Sequence, residues 1–167
     1  MKIWIISDTH FNHINIIKYC NRPFNTVEEM NDTLIKNWNK NILKKDLVYH
    51  LGDFGFYNND SSSKILKKLN GRKRLILGNH DIESNNYYRK IGFEEVYEFP
   101  IILSEFYILS HKPIYLNNTM PYINIHGHIH SNEIICFDKD NKNHYFNACV
   151  ENNNYSPILL NDICKKY

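Results

Sequence analysis

Ile3-Trp4-Ile5-Ile6-Ser7-Asp8-Thr9-His10 decides how this chain is read: four apolar residues in a row, then a carboxylate and an imidazole two residues apart. A continuous apolar run of that length suits a strand buried on both faces, and it stops where ligand-type side chains begin. The same rhythm returns four times. Leu47-Val48-Tyr49-His50-Leu51 runs into Gly52-Asp53, Arg74-Leu75-Ile76-Leu77 into Gly78-Asn79-His80-Asp81, Phe106 to Leu109 into Ser110-His111, and Ile123 to Ile125 into Gly127-His128-Ile129-His130. Carboxylate, amide oxygen and imidazole are the donors a pair of divalent cations needs, and the carboxyl ends of strands are where α/β sheets gather ligands. The five strand ends are expected to converge on one site.

Helical segments separate the first three runs. Thr26-Val27-Glu28-Glu29 has capping-box spacing, and Met30, Leu34, Ile35, Trp38 and Ile42 follow at helical intervals, which predicts a helix from Val27 to Ile42. Ser61-Ser62-Ser63 offers caps for a helix carrying Ile65, Leu66 and Leu69, and a short helix is expected from Tyr87 to Ile91. After this βαβαβ series the texture becomes strand-rich, with runs at 96–99, 101–103, 106–109, 123–125 and 134–137, and Asp138-Lys139-Asp140-Asn141 as a hairpin turn into Tyr145-Phe146. Alternating βα units followed by antiparallel strands point to an α/β layered fold with two sheets. No linker or repeat divides the 167 residues, so one domain is expected.

Bulk properties leave the partner open. Twenty Lys+Arg against 18 Asp+Glu, net +2, is too even to argue for nucleic acid or an acidic membrane. Cys20, Cys136, Cys149 and Cys164 form no C-x-x-C pair, which excludes a zinc knuckle or dithiol motif and fits a reduced compartment. Met1 to Ile6 is shorter than a signal-peptide core, and nothing later approaches a membrane span of about 20 residues, so a cytoplasmic chain with no membrane partner is expected.

Taken singly, the motifs are weak. Asp8-Thr9-His10 puts two ligand types on one side of an extended segment, and so does His128-Ile129-His130. Gly52 lets the chain turn so that the Asp53 carboxylate can bridge two cations, one oxygen to each. Gly78 likewise exposes Asn79 and His80 just past a strand. His111 alone reads equally well as a loop histidine. Five strand ends all supplying ligand types by accident is the reading that fails.

The series Asp8-x-His10, Gly52-Asp53, Gly78-Asn79-His80-Asp81, His111, Gly127-His128-x-His130 resembles the calcineurin-like metallophosphoesterase superfamily, and covers the chain from Ile3 to His130. Ser7-Asp8-Thr9-His10-Phe11-Asn12-His13 with Asn21-Arg22-Pro23-Phe24 further resembles a group of small bacterial and phage phosphoesterases. The resemblance implies a four-layer αββα sandwich of two mixed β-sheets flanked by helices. It also implies Asp8, His10 and His130 on one metal, Asn79, His111 and His128 on the other, Asp53 bridging, and His80 as the catalytic histidine. Two divalent ions (Mn, Fe, Zn or Ni) suit this set, because it offers oxygen and imidazole but no thiolate. They would share a hydroxide that attacks phosphorus in line. One departure matters. Members acting on phosphoproteins carry Asp-Arg-Gly shortly after the Gly-Asp motif, whereas this chain has Phe56 where their carboxylate would stand. That disfavours a phosphoprotein substrate and leaves open what orients His80.

The expected activity is hydrolysis of a small phosphorylated substrate, with a phosphodiester or nucleotide favoured. A metal-dependent nuclease is the alternative, which would need a basic, aromatic-lined groove. A non-catalytic scaffold of the same fold is set aside because all seven ligand positions and His80 are present. Arg22 is read either as a bidentate clamp on substrate phosphate or as an exposed helix-end arginine. His13 is either a substrate contact from the first loop or a surface histidine. His126 and His50 are expected to be structural, and Glu151-Asn152-Asn153-Asn154 is expected to be a polar loop without chemistry.

Overall fold

The computed structural model describes residues 1–56, 59–117, 119–134 and 144–166, with backbone only at 59 and 60. Strand β1 (Ile3–Ile6) is followed by helix α1 (Ile14–Tyr19), helix α2 (Val27–Asn41), β2 (Leu47–His50), α3 (Asn59–Lys68), β3 (Arg72–Ile76), α4 (Asn85–Ile91) and β4 (Glu95–Tyr97). Then come β5 (Ile101–Leu103), β6 (Tyr107–Leu109), β7 (Ile123–His126), β8 (Tyr145–Asn147), a 3-10 turn at Val150–Asn153, β9 (Ile158–Leu159) and α5 (Leu160–Cys164). The strand expected at 134–137 and the turn at 138–141 fall outside the described residues from 135 onward.

Two mixed sheets result. The first runs β4-β3-β2-β1-β9, with β1 to β4 parallel and β9 antiparallel to β1; the second runs β5-β6-β7-β8. Within the second sheet only β5 and β6 are antiparallel, while β6, β7 and β8 are parallel. This corrects the antiparallel expectation. The connections 110–122 and 127–144 are long enough for the crossovers that parallel neighbours require.

The alternation along β1 explains the layering. Trp4 and Ile6 face a core shared with Ile16 of α1, Met30, Leu34 and Trp38 of α2, Leu66 of α3 and Tyr88 of α4. Ile3 and Ile5 face the second core, shared with Leu109, Ile125 and Phe146 of the other sheet. Both faces of β1 are thus buried, as its unbroken apolar run predicts, and each fully buried large side chain contributes roughly 1.5–3 kcal/mol. On the outer face of the second sheet, Asn124 accepts from the Ile114 N–H at 2.8 Å and the Tyr145 hydroxyl donates to the Ile114 carbonyl at 3.0 Å, laying residues 112–117 across it.

Helix α2 starts as its capping signal predicts, with Thr26 Oγ1 accepting from the Glu29 N–H at 3.1 Å. The return bond goes one residue further back, from the Asn25 N–H to Glu29 Oε2 at 2.8 Å. Helix α3 begins at Asn59, so Ser61 to Ser63 lie within its first turns instead of capping it. No helix of the described residues is long and apolar enough to cross a membrane.

Candidate metal centre

The carboxyl ends of the central strands are tied to one another by backbone bonds that carry the ladder past the sheet. Asp8 N–H donates to the Gly52 carbonyl at 3.1 Å, His10 N–H to Asp53 at 3.0 Å, and Gly127 N–H to His111 at 2.9 Å. Asp81 binds the second loop to the third: its carboxylate accepts from the Asp53 N–H at 2.7 Å, the Gly78 N–H at 2.8 Å and the Phe54 N–H at 3.2 Å. Two glycines permit the close approach. Gly52 has φ 95°, and a Cβ there would meet Gly78 N at 2.6 Å and His111 Nδ1 at 2.7 Å. A Cβ on Gly127 would collide with Ser7 Oγ and Asp8 Oδ2.

The ligand-type residues are not presented by extended chain. Asp8 (φ 57°), His10 (49°), Asp53 (55°), His128 (72°) and His130 (50°) all lie in the left-handed region. Each such residue costs roughly 1–2 kcal/mol. Asp8-x-His10 and His128-x-His130 are therefore not the extended segments their spacing predicts: left-handed turns aim these side chains, and the surrounding backbone bonds hold them there.

Their polar atoms meet in a pattern that hydrogen bonding does not satisfy. Asp8 is fully buried; Oδ2 accepts from Ser7 Oγ at 2.6 Å, the His128 N–H at 2.9 Å and the Cys149 thiol at 3.2 Å. Its Oδ1 has no hydrogen-bond partner, and neither has His10 Nε2. These atoms lie 3.8 Å apart, with His130 Nε2 also 3.8 Å from Oδ1. Asp53 Oδ2 sits 3.6 Å from His10 Nε2 and 3.5 Å from His111 Nε2, between two imidazoles that follow different strands. His111 Nε2 in turn lies 2.9 Å from Asn79 Oδ1, and the His111 and His128 rings pack edge to face at 5.0 Å. Two donors sharing one cation at about 2.1 Å stand roughly 3–3.6 Å apart, close to this range. Asp8-His10-His130 and Asp8-Asp53-His111 are accordingly groups that can hold an ion.

The outer nitrogens are already bound, which leaves the inner ones for coordination. His111 Nδ1 is 2.8 Å from the Leu51 carbonyl, His130 Nδ1 is 3.0 Å from Glu151 Oε1, and His10 Nδ1 is 3.4 Å from His13 Nδ1. Electrostatics agree. Burial alone would raise the Asp8 carboxyl, yet the facing His10, His111 and His130 imidazoles hold it well below the usual range. Burial likewise opposes charge on His130, but its hydrogen bonds to Cys20 and Glu151 and the charges of Glu151 and Asp8 raise it to about 10. A divalent cation between Asp8 and His130 would supply the positive charge that this proton otherwise supplies. His50, buried behind the site against Thr9 Oγ1 at 2.9 Å, is pushed down to about 3 by burial and stays neutral.

Arg22 is neither a phosphate clamp nor an exposed helix-end residue. Its side chain is fully buried, donating to Glu151 Oε1 from Nε at 2.9 Å and Nη2 at 2.6 Å, and to the carbonyls of Asp8 at 2.7 Å and Thr9 at 3.0 Å. It fixes the left-handed first loop and the Glu151 carboxylate together. Glu151 is the residue missed in the sequence: 129 positions from Arg22, it orients His130, and nothing in Glu-Asn-Asn-Asn signals this. Cys20, His130 and Glu151 also approach one another, but Arg22 already meets the charge of Glu151, so that group needs no cation. Arg22→Leu is expected to lower unfolding free energy by about 3–5 kcal/mol, because it strands a buried carboxylate. Urea titration of both proteins checks this; a change confined to KM with unaltered stability would restore the clamp.

His80 stands apart from the donor cluster. Its N–H donates to Asp53 Oδ1 at 2.9 Å, and its exposed ring lies 5.5 Å from that of His10 and 6.5 Å from that of His13. With His10, His13 and His130 it lines a cavity of about 480 Å³ that opens onto the donor cluster.

Two mixed sheets with helices, and histidines and carboxylates converging on their strand ends, define an α/β sandwich whose residue groups can hold a metal ion. The chain belongs to the calcineurin-like phosphoesterase family, whose model matches residues 1–165. It is 45% identical to an uncharacterised protein of Methanocaldococcus jannaschii over 169 residues, covering 98% of this chain and 90% of that one. It is 38% identical over 81 residues to the gene 66 protein of Mycobacterium phage L5, covering 47% of this chain and 39% of that one. A crystal structure of a protein of unknown function from Aquifex aeolicus superposes with TM-score 0.78 at 33% identity, covering 99% of each chain.

Proposed function

We propose that the chain is a single-domain, dinuclear metal-dependent phosphoesterase acting on a small phosphorylated substrate, a phosphodiester or nucleotide in preference to a phosphoprotein. In this reading Asp8, His10 and His130 hold one divalent cation, Asn79, His111 and His128 hold the other, and Asp53 is shared. The observation that carries it is Asp53 Oδ2 set 3.6 Å from His10 Nε2 and 3.5 Å from His111 Nε2, beside the unpartnered Asp8 Oδ1. When bound, the two cations lower the pKa of a water for attack and neutralise charge on the phosphoryl oxygens.

The chain's own residues do the rest. Arg22 and Glu151 hold the first loop and the His130 ring in the geometry that coordination requires, and Asp81 does so for the loops of Asp53 and Asn79. His80, anchored through its backbone on Asp53 and facing the cavity, holds the proton that the leaving oxygen takes up. His13 lies on the substrate side of His10 and contacts the leaving group. Such a site acts inside a reducing, cytoplasmic compartment without any nucleotide cofactor.

Chelation tests this reading. Stripping the protein with a chelator is expected to remove hydrolysis of a nitrophenyl phosphodiester by at least about 10³-fold, and Mn²⁺ is expected to restore it. Activity surviving complete metal removal, or a phosphorylated His or Asp trapped during turnover, would contradict it.

A further inference from the structure

Two large aromatic side chains stand in solvent beside the proposed centre. Tyr19, at the end of α1, is 74% exposed and lines the same cavity as His10, His80 and His130. Phe56, four positions after Gly52, is 60% exposed. Between them lies His13: the Phe56 ring is 5.0 Å from it with planes 31° apart, and the Tyr19 ring is 6.4 Å from it, edge on. His13 in turn is 5.4 Å from His10. The three rings adjoin in the order Tyr19, His13, Phe56; Tyr19 and His13 line the cavity, and His13 neighbours a proposed metal ligand.

Elsewhere near the site, aromatic rings are buried. Phe11 and Phe54 pack against each other at 5.2 Å with no exposure, so the exposure of Tyr19 and Phe56 is not a general property of this face. Exposed flat rings next to a phosphate-type site suit a planar partner, because every base offers a π-face and stacking needs no hydrogen-bond match. A cavity of about 480 Å³ has room for one nucleotide unit. Ser131 and Asn132, which also line it, offer polar groups suited to a sugar edge. The near-neutral charge of the chain argues for a single nucleotide over a polymer, which would want a basic track.

We infer that Tyr19, Phe56 and His13 form a base-stacking subsite, so that the phosphoester hydrolysed here is that of a mononucleotide whose base lies against these rings. The inference rests on the phosphoesterase reading above and adds the class of its substrate.

The test compares two ligands that differ only in the base. Mn²⁺-loaded protein is titrated calorimetrically with adenosine 5′-monophosphate and with ribose 5-phosphate, and the adenine H2 and H8 resonances are followed with a diamagnetic Zn²⁺-loaded sample. The nucleotide is expected to bind at least about tenfold tighter, with upfield ring-current shifts. That ratio is expected to fall toward one in the Tyr19→Ala/Phe56→Ala double variant and to persist in Tyr19→Phe. A ratio near one in the wild-type protein, or one that survives in the double variant, overturns the inference. The two readings fail separately. A Tyr19-dependent preference without hydrolysis of any phosphoester would leave the subsite and remove the phosphoesterase; hydrolysis with no preference would do the reverse.

Discussion

Asp53→Asn is expected to lower turnover roughly 10³-fold and to reduce metal content below two per chain, with the fold retained. The substitution is narrow. An asparagine keeps an oxygen for the His80 N–H, which Asp53 Oδ1 accepts at 2.9 Å, and removes only the charge that Oδ2 presents to His10 and His111. His13→Ala, by contrast, removes a neighbour of His10 and a proposed substrate contact but no proposed ligand, and should cost far less. Near-wild-type turnover of Asp53→Asn at full metal occupancy would remove the shared role from Asp53.

His80→Ala separates proton delivery from charge stabilisation. In the proposed role of general acid, His80 would contribute typically about 10² to 10⁴ in rate, but only where the leaving oxygen needs a proton. A nitrophenolate leaves without one. The variant is therefore expected to lose about 10²-fold or more in kcat/KM on an alkyl or ribosyl ester, and less than about tenfold on a nitrophenyl ester of similar shape. Metal content should stay the same, because the His80 ring is outside both donor groups. Equal losses on the two esters would assign His80 to the charge on phosphorus, and loss of metal would make it a ligand.

The parts of this molecule that a sequence can carry are those encoded by contiguous patterns. The unbroken run Ile3 to Ile6 states that both faces of β1 are covered, and Thr26 to Glu29 states where α2 begins. Strand ends followed by Asp8, Asp53, Asn79, His111 and His128 state where polar side chains collect, and the structure brings those side chains together. Other features depend on partners far along the chain. A guanidinium reads the same whether it faces water or a buried carboxylate, so Arg22 was legible only once Glu151 lay 2.6 Å from it. The left-handed backbone of Asp8, His10 and His130 is imposed by bonds from other loops, not by local preference. The parallel pairing of β6, β7 and β8 is permitted by connections of a dozen residues or more, whose length alone does not announce it. Phe56 stood out only as the replacement for a carboxylate, and nothing in the sequence sets Tyr19 apart; their exposure is visible only in the structure.

The central claim is that these strand ends hold two cations. Metal-stripped protein is reconstituted with excess Mn²⁺, desalted and analysed for metal and protein together, with circular dichroism on the same sample. Two ions per chain in the wild-type protein, falling to one or fewer in Asp53→Asn, is the result predicted; one ion or none in natively folded wild-type protein would contradict it.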